Sequence, residues 1–394
     1  MPPSPSSAAG VTAQDILGRA RDLAPAFGKR AEAAEEGRRI PEASVKDMLD
    51  AGFARILLPR EIGGYGLGFD SWCDVTRELS KAEASHGWCA GLIIHHAHLV
   101  AQFPRAGQEA VWADGVDVPI AASFAPAAKA VRADGGYRIS SAGSPFASGV
   151  DHCPWVMLGG MVHDGGEPEW KFFLVPRGEF TIRDTWFTAG MRGTGSKTIV
   201  VEDAFVPEGR ILSLADLRVG KTPGGALYDG VIYRTPFFYY APISFASPML
   251  GAAQGAFEQF CGWTGTRKTM DGSPLAEKTS VQVRTARAAA DIDAAELLLH
   301  RAVGVTAAPE AYSASHLSRS IRDYARISEI MIEVIDTLVA LGGTAGFASS
   351  HPLQRAWRDI HFMSMHISLN VETNFSYYGR MRLGLSPDST SRYF

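Results

Sequence analysis

Cysteine is scarce in these 394 residues, and the four present, Cys73, Cys89, Cys153 and Cys261, lie far apart with no CxxC pair. That spacing argues against a zinc knuckle and against a disulfide framework, and it fits a reducing compartment such as the cytoplasm. Basic excess is missing too. A net charge of -4 supplies no field for gripping nucleic acid. Nor is there any run of the roughly 18 apolar residues that a membrane span needs, so no membrane partner is expected. The opening MPPSPSSAAG lacks the charged and apolar regions of a secretory signal and reads as a flexible leader over 1–10. No internal repeat occurs. What is present, 46% hydrophobic and 20% charged residues, is a globular composition, and the length points to two or three domains or one large layered unit.

The texture of the chain changes twice. Residues 11–117 carry helical periodicity, with PEASVKDMLDAG opening on a Pro-Glu helix start and RELSKAEASHGWCAGLIIHHAHLVAQF reading as a continuation of the same helical domain. Residues 118–222 turn to short alternating runs such as VPIAASFA, PWVMLGGMV and KTIVVEDAFVP, broken by Gly and Pro, which predict an antiparallel sheet or small barrel. Residues 223–394 return to long helical stretches. Four of them, beginning at MLGAAQGAFEQFCGW, SVQVRTARAAADIDAAELLLHRAV, SRSIRDYARISEIMIEVIDTLVALGG and HPLQRAWRDIHFMSMHISL, suggest a four-helix bundle. The fold class is therefore mainly α with a central β-domain.

Several local patterns sit on this order. LLPREIGGYGLGFD, GYRISSAGSPFAS, MRGTGSKTIVVEDAFVP and LGGTAGFASSHPLQRAWRDI together resemble the acyl-CoA dehydrogenase fold over nearly the whole chain. A dehydrogenase of that fold needs a carboxylate base about eight residues after the Arg-Asp pair, and counting from Arg358 and Asp359 lands on Ile367. The first bundle helix offers only Glu258, two turns too late. The chain more closely resembles the branch of the fold, group D of the two-component flavin-dependent monooxygenases, that hydroxylates aromatics such as phenols, hydroxyphenylacetate, secosteroids and indoles. The residues that carry this are Gly87-Trp88 with His96 eight positions on, Ser123-Phe124-Ala125-Pro126, Ser148-Gly149, Arg192-Gly193-Thr194-Gly195-Ser196, and His366. Phe146 in place of Trp, one extra residue in the SSAGSP loop, and Met270 in place of a Phe depart from the pattern.

The resemblance implies reduced flavin, FADH2 or FMNH2, and molecular oxygen as cofactors, with a C4a-hydroperoxide as the oxygenating species. Ser148 is then the candidate for a hydrogen bond at flavin N5, and His96 and His366 are the candidates for activating the substrate's O-H or N-H group. Ser123 is a candidate for orienting the reacting groups. Phe124, Phe146, Arg267, Gly342 and Gly343 join Ser148 as expected flavin contacts, the last three from a neighbouring subunit of a homotetramer. The one dense glycine motif, GMRGTGS, has the wrong order for a nicotinamide site, so a separate NAD(P)H:flavin reductase is the expected partner and a small aromatic the expected substrate. Competing readings are an acyl-CoA dehydrogenase with a displaced base, an N-oxygenase of an amine or amino sugar, and a flavin-binding scaffold.

Plainer roles compete for the same residues. Each histidine can be a satisfied core imidazole, each serine a strand-end hydroxyl bonded to backbone, GTGS a turn, and Asp359 the i, i+4 partner of Arg355. On a helix His95 and His98 share a face while His96 points about 100° away. Two neutral ligands without a nearby Cys or carboxylate are too few for a structural zinc, so no metal is expected.

Overall fold

The computed structural model describes residues 10–386, so the expected leader lies, apart from its last residue, outside the described residues. Helices α1 (Ala13–Lys29), α2 (Ala31–Gly37), α3 (Glu42–Asp50), α4 (Phe69–Ala82), α5 (Ala84–Val100) and α6 (Arg105–Val111) come first. A capping box starts α1, in which the Thr12 hydroxyl accepts from Asp15 N at 3.2 Å and the Asp15 carboxylate accepts from Thr12 N at 2.9 Å. The segment read as one continuous stretch divides at Glu83, whose φ of −162° is extended. No Gly or Pro marks the break, because Glu83 ends α4 by capping α5: its carboxylate accepts the His86 N–H at 2.7 Å and meets His86 Nδ1 at 2.6 Å. Of the 17 residues of α5, only Trp88 keeps appreciable solvent exposure. Such a helix, apolar all round, belongs in an interior.

The sheet contains β1 (Ile120–Ala133), β2 (Gly136–Ala147), β3 (Trp155–Val162), β4 (Glu169–Pro176), β5 (Thr181–Arg183), β6 (Lys197–Pro207) and β7 (Ile211–Ser213) in the order β5-β6-β2-β1-β3-β4-β7. Its pairs are antiparallel except β1 with β3, which run parallel. This corrects the purely antiparallel expectation. The chain goes up β1 and down β2, then crosses the end of β1 so that β3 rises on its other side. Alternation divides the strands between two cores: Ile120, Ala122, Met157, Phe172 and Leu174 join the helical core, whereas Ala121, Val156, Leu158, Phe173 and Val175 build a separate core on the opposite face.

Beyond the sheet come α7 (Leu214–Val219), α8 (Phe237–Tyr240), α9 (Ile243–Thr264), α10 (Thr279–Val305), α11 (Ala314–Gly346), α12 (Pro352–Ser364) and α13 (Val371–Arg382). The bundle thus has α13, packed on α11, in addition to the four long helices expected. Helix α12 stops at Ser364, which leaves His366 outside the helix as the cap of a short 3-10 turn over Ile367–Leu369. At the centre α9 packs on α4, α5, α11 and α12. Its contact with α4 depends on two glycines: an added Cβ would stand 2.2 Å from the Arg77 carbonyl oxygen at Gly251 and 1.9 Å from that of Lys81 at Gly255. These are backbone atoms that cannot turn aside. We expect Gly255→Ala to push α9 off α4 and lower stability by about 1–3 kcal/mol. Urea unfolding of the flavin-free protein checks this, and an unchanged midpoint would show that the helices separate at no cost.

Candidate functional site

Helix α5 carries two site residues eight positions apart, which is about 12 Å along the axis. His96 is 2% exposed, and its Nδ1 lies 2.6 Å from the Ile120 carbonyl oxygen at the start of β1. A carbonyl only accepts, so Nδ1 carries the proton and Nε2 keeps its lone pair. Burial pushes this imidazole down to about 4, against the pull of the Ile120 carbonyl. His96 is therefore a neutral proton acceptor at ordinary pH. Phe124 stands 6.1 Å from it between ring centroids and stacks on Phe237 at 5.8 Å, giving the acceptor an aromatic wall. Phe237 belongs to the FFYY run of α8.

The flanking histidines are held differently. His95 Nδ1 meets Ser244 Oγ at 2.8 Å while its ring stacks on Trp72 at 4.9 Å, and His98 Nε2 donates to the Ile232 carbonyl at 3.1 Å. Burial holds both low, His98 at about 4 and His95 well below its usual range. Among the described residues no group of three or more His, Cys, Asp or Glu side chains is arranged to hold a metal ion.

At the other end of this stretch the Trp88 indole N–H donates to Ser148 Oγ at 3.2 Å. Behind Ser148, its Oγ meets Ser196 Oγ at 2.7 Å, Ser196 meets Thr194 Oγ1 at 2.6 Å, and Thr194 donates to the Met191 carbonyl at 2.9 Å. Trp88 also bridges to the second expected imidazole, since the His366 ring lies 6.2 Å from it, edge to face, and stacks on Phe245 at 3.5 Å. His366 Nδ1 accepts the Ser368 N–H at 3.2 Å, so the proton of the neutral ring is on Nε2. Desolvation lowers its pKa, although one edge keeps some solvent contact. The two imidazoles are thus opposite tautomers: His96 offers a lone pair, and His366 offers a proton.

Ser123 is not brought to either group. Alternation turns it to the face opposite Ala122 and Phe124, and its hydroxyl donates to the Pro145 carbonyl at 2.7 Å. What it holds is the end of β2, which carries Phe146 and leads into the turn at Ser148. Phe146 itself is 66% exposed at a φ of +63°, a left-handed conformation that a bulky aromatic rarely adopts, and its ring stands perpendicular to that of Trp186. The other expected contacts form a cluster of their own where the end of α9 meets the kink of α11. Arg267 Nη1 donates to the Gly342 carbonyl at 2.9 Å, its guanidinium lies 4.2 Å over the Trp263 ring, and Gly343 bends α11 at a φ of +60°. No hydrogen bond, ion pair or ring contact described joins this cluster to Ser148 or His366.

A carboxylate base is not found at either expected position. Ile367 is exposed, and Glu258 faces outward from α9. Asp359 does not pair with Arg355: it is buried, accepts the Met191 N–H at 2.5 Å, and is pushed by burial up to about 7, while Arg355 and Arg358 turn to Glu35. Residues that the sequence did not single out are Phe245 and the support role of Trp88. The signal for Phe245 was one aromatic in PISFASPML, indistinguishable there from packing.

Comparison with known proteins shows the family of the chain. Residues 12–114 match the family model for the acyl-CoA dehydrogenase N-terminal domain, and residues 243–371 match that for the acyl-CoA dehydrogenase C-terminal domain. The chain is 35% identical to the oxygenase component of the FADH(2)-dependent resorcinol hydroxylase of Rhizobium sp. strain MTP-10005, over 94% of this chain and 95% of the relative. The crystal structure of the HsaA monooxygenase of M. tuberculosis superposes with a TM-score of 0.91 at 33% identity, covering 96% of this chain and all of that one (100%). XiaF from Streptomyces sp., in complex with FADH2 and glycerol, gives 0.87 at 30% identity, with 97% and 98% covered.

The buried neutral imidazoles have a measurable consequence. In the unfolded chain they titrate near 6.5, whereas His96 and His98 titrate near 4 in the fold and His95, His152 and His366 are also depressed. Between these values the unfolded chain binds protons that the folded one refuses. We therefore expect stability to fall as pH drops below about 6.5, each fully depressed histidine adding up to about 1.4 kcal/mol per pH unit until its folded pKa is reached, with Asp359, pushed by burial up to about 7, offsetting one of them. Urea midpoints measured from pH 7.5 to 5 check this, and a constant midpoint would mean that the imidazoles are charged in the fold.

Proposed function

The chain belongs to the oxygenase components of the two-component flavin-dependent monooxygenases, the hydroxylating branch of the acyl-CoA dehydrogenase fold, and from this we propose that it hydroxylates a small or fused aromatic, phenol-like or indole-like. Reduced flavin comes from a separate NAD(P)H:flavin reductase, and bound at this site it supplies the electrons that activate molecular oxygen. Within a homotetramer in the cytoplasm, Arg267 and the Gly342-Gly343 bend of one subunit would help to hold the flavin of its neighbour, the guanidinium supplying positive charge for the flavin's phosphate. The fit rests on the exposed Phe146 ring, the half-buried Ser148 hydroxyl, and a guanidinium already aimed by its bond to Gly342.

The observation that carries the reading is the pair of neutral imidazoles in opposite tautomers, with no carboxylate beside them. His96 Nε2 accepts the proton of a substrate O–H or N–H, which raises electron density on the ring that is to be oxygenated. His366 Nε2–H donates, so it can steady the oxygen or substrate oxygen that gains charge. Phe124 and Phe237 hold the ring and exclude water. Ser123 keeps Phe146 and Ser148 in place through Pro145. A dehydrogenase would require a carboxylate where Ile367 stands.

The test supplies purified protein with a flavin reductase, NADH, FAD or FMN, a panel of phenols and indoles, and oxygen-18 gas. A hydroxylated product carrying one oxygen-18 atom is expected, and a panel that yields only hydrogen peroxide would overturn the proposal. His96→Ala and His366→Ala should each cut product formed per oxygen consumed at least about tenfold, with peroxide rising to match. Unchanged coupling in both would remove these residues from the chemistry.

A further inference from the structure

The hydroxyls behind Ser148 form a chain whose direction can be worked out. Thr194 Oγ1 donates to the Met191 carbonyl, so its oxygen must accept the Ser196 proton, and Ser196 in turn accepts the Ser148 proton. Ser148 accepts from the Trp88 indole, which can only donate. In this setting the one accessible member of the chain turns a lone pair toward the site. The others are buried, Ser196 at 5% and Thr194 at 1% exposure.

The opposite setting is equally complete. The Met191 carbonyl also accepts from the Trp186 indole N–H at 3.0 Å and from the Thr194 backbone N–H at 3.2 Å, so it stays satisfied if the Thr194 hydroxyl turns away. Thr194 then donates to Ser196, Ser196 to Ser148, and the Ser148 proton points into the site. Ser148 now accepts two hydrogen bonds while donating one, which polarises it into a stronger donor. Neither setting leaves a buried hydroxyl unpaired.

We propose that Ser148, Ser196 and Thr194 form a reversible hydroxyl relay that matches Ser148 to the protonation state of flavin N5. This rests on the flavin reading above. Oxidised flavin presents a bare N5 that accepts, and two-electron-reduced flavin presents an N5–H that donates. With its proton turned inward Ser148 suits the reduced ring, and with its proton turned outward it suits the oxidised ring. Ser196 and Thr194 are positioning residues, acting through Ser148.

Removing either inner hydroxyl locks the relay. In Ser196→Ala the Ser148 proton loses its inward acceptor and stays turned outward. In Thr194→Val the Ser196 proton is displaced onto Ser148, with the same result. The affinities of oxidised and anaerobically reduced FAD and FMN, measured by titration, test this without reference to turnover. Both variants should shift the ratio toward oxidised flavin about five- to tenfold, the worth of one neutral hydrogen bond. Thr194→Ser, which keeps the hydroxyl, should restore the wild-type ratio, and in a Ser148→Ala background Ser196→Ala should no longer change it. A ratio that moves less than about twofold in both locked variants overturns the relay while leaving the flavin reading intact. If the wild-type protein binds neither flavin form, the functional reading falls instead.

Discussion

Everything at the site depends on α5 being buried on nearly every side. A helix in that position cannot leave its polar side chains to water, so each imidazole must find a partner inside, and the partner determines its chemistry. Ile120 and Ile232 offer carbonyls, which fix one nitrogen of His96 and one of His98 as donors. Ser244 takes His95. Burial alone would make three neutral histidines; it is the carbonyl on β1 that leaves the lone pair of His96 on Nε2. The exposed exception on this helix, Trp88, is the residue that touches both Ser148 and His366.

The sheet and bundle serve this arrangement by holding loops rather than by supplying reactive groups. Asp359 on α12 takes the Met191 N–H, Arg358 pairs with Glu35 at 2.5 Å, and Arg38 pairs with Asp184 at 2.6 Å, so the segment before β6 is tied to α12 and α2. Gly190 shows how close the approach is, because an added Cβ would lie 2.2 Å from the Arg358 carbonyl. The Arg-Asp pair that resembles a catalytic landmark is therefore an anchor. It keeps Met191, Thr194 and Ser196 in register behind Ser148.

The layered architecture was legible because helix and strand periods differ and change at two places along the chain. The Glu83 break was not, since a carboxylate cap leaves periodicity undisturbed across the boundary. The parallel β1–β3 pair was equally hidden: a strand's pattern records which face is buried, not which neighbour it pairs with. At the site, it was the resemblance to the hydroxylases, counted from Trp88, that put His96 forward over His95 and His98. Ser123 came from the resemblance, which takes no account of strand parity, and parity is what turns it from Phe124 toward Pro145. Tautomers lie beyond any sequence, because they are set by carbonyls 24 residues away in the case of His96 and by a backbone N–H two residues away in that of His366.

The proposed use of imidazoles in place of a carboxylate base also changes what the site can exclude. An ionised glutamate held in an apolar site would either draw in water or climb in pKa until it lost its charge. His96 avoids both outcomes, since desolvation favours the neutral form that the chemistry needs and the Ile120 carbonyl keeps the useful lone pair exposed. His366 reaches the same end with its proton outward, against a stacked Phe245 rather than a charge. In the proposed reading, neutral donors and acceptors beside Phe124, Phe237 and Trp88 let the site stay dry while a proton moves. That combination suits oxygen chemistry, in which water and stray protons divert the reaction to peroxide, better than it suits abstraction of a proton from carbon.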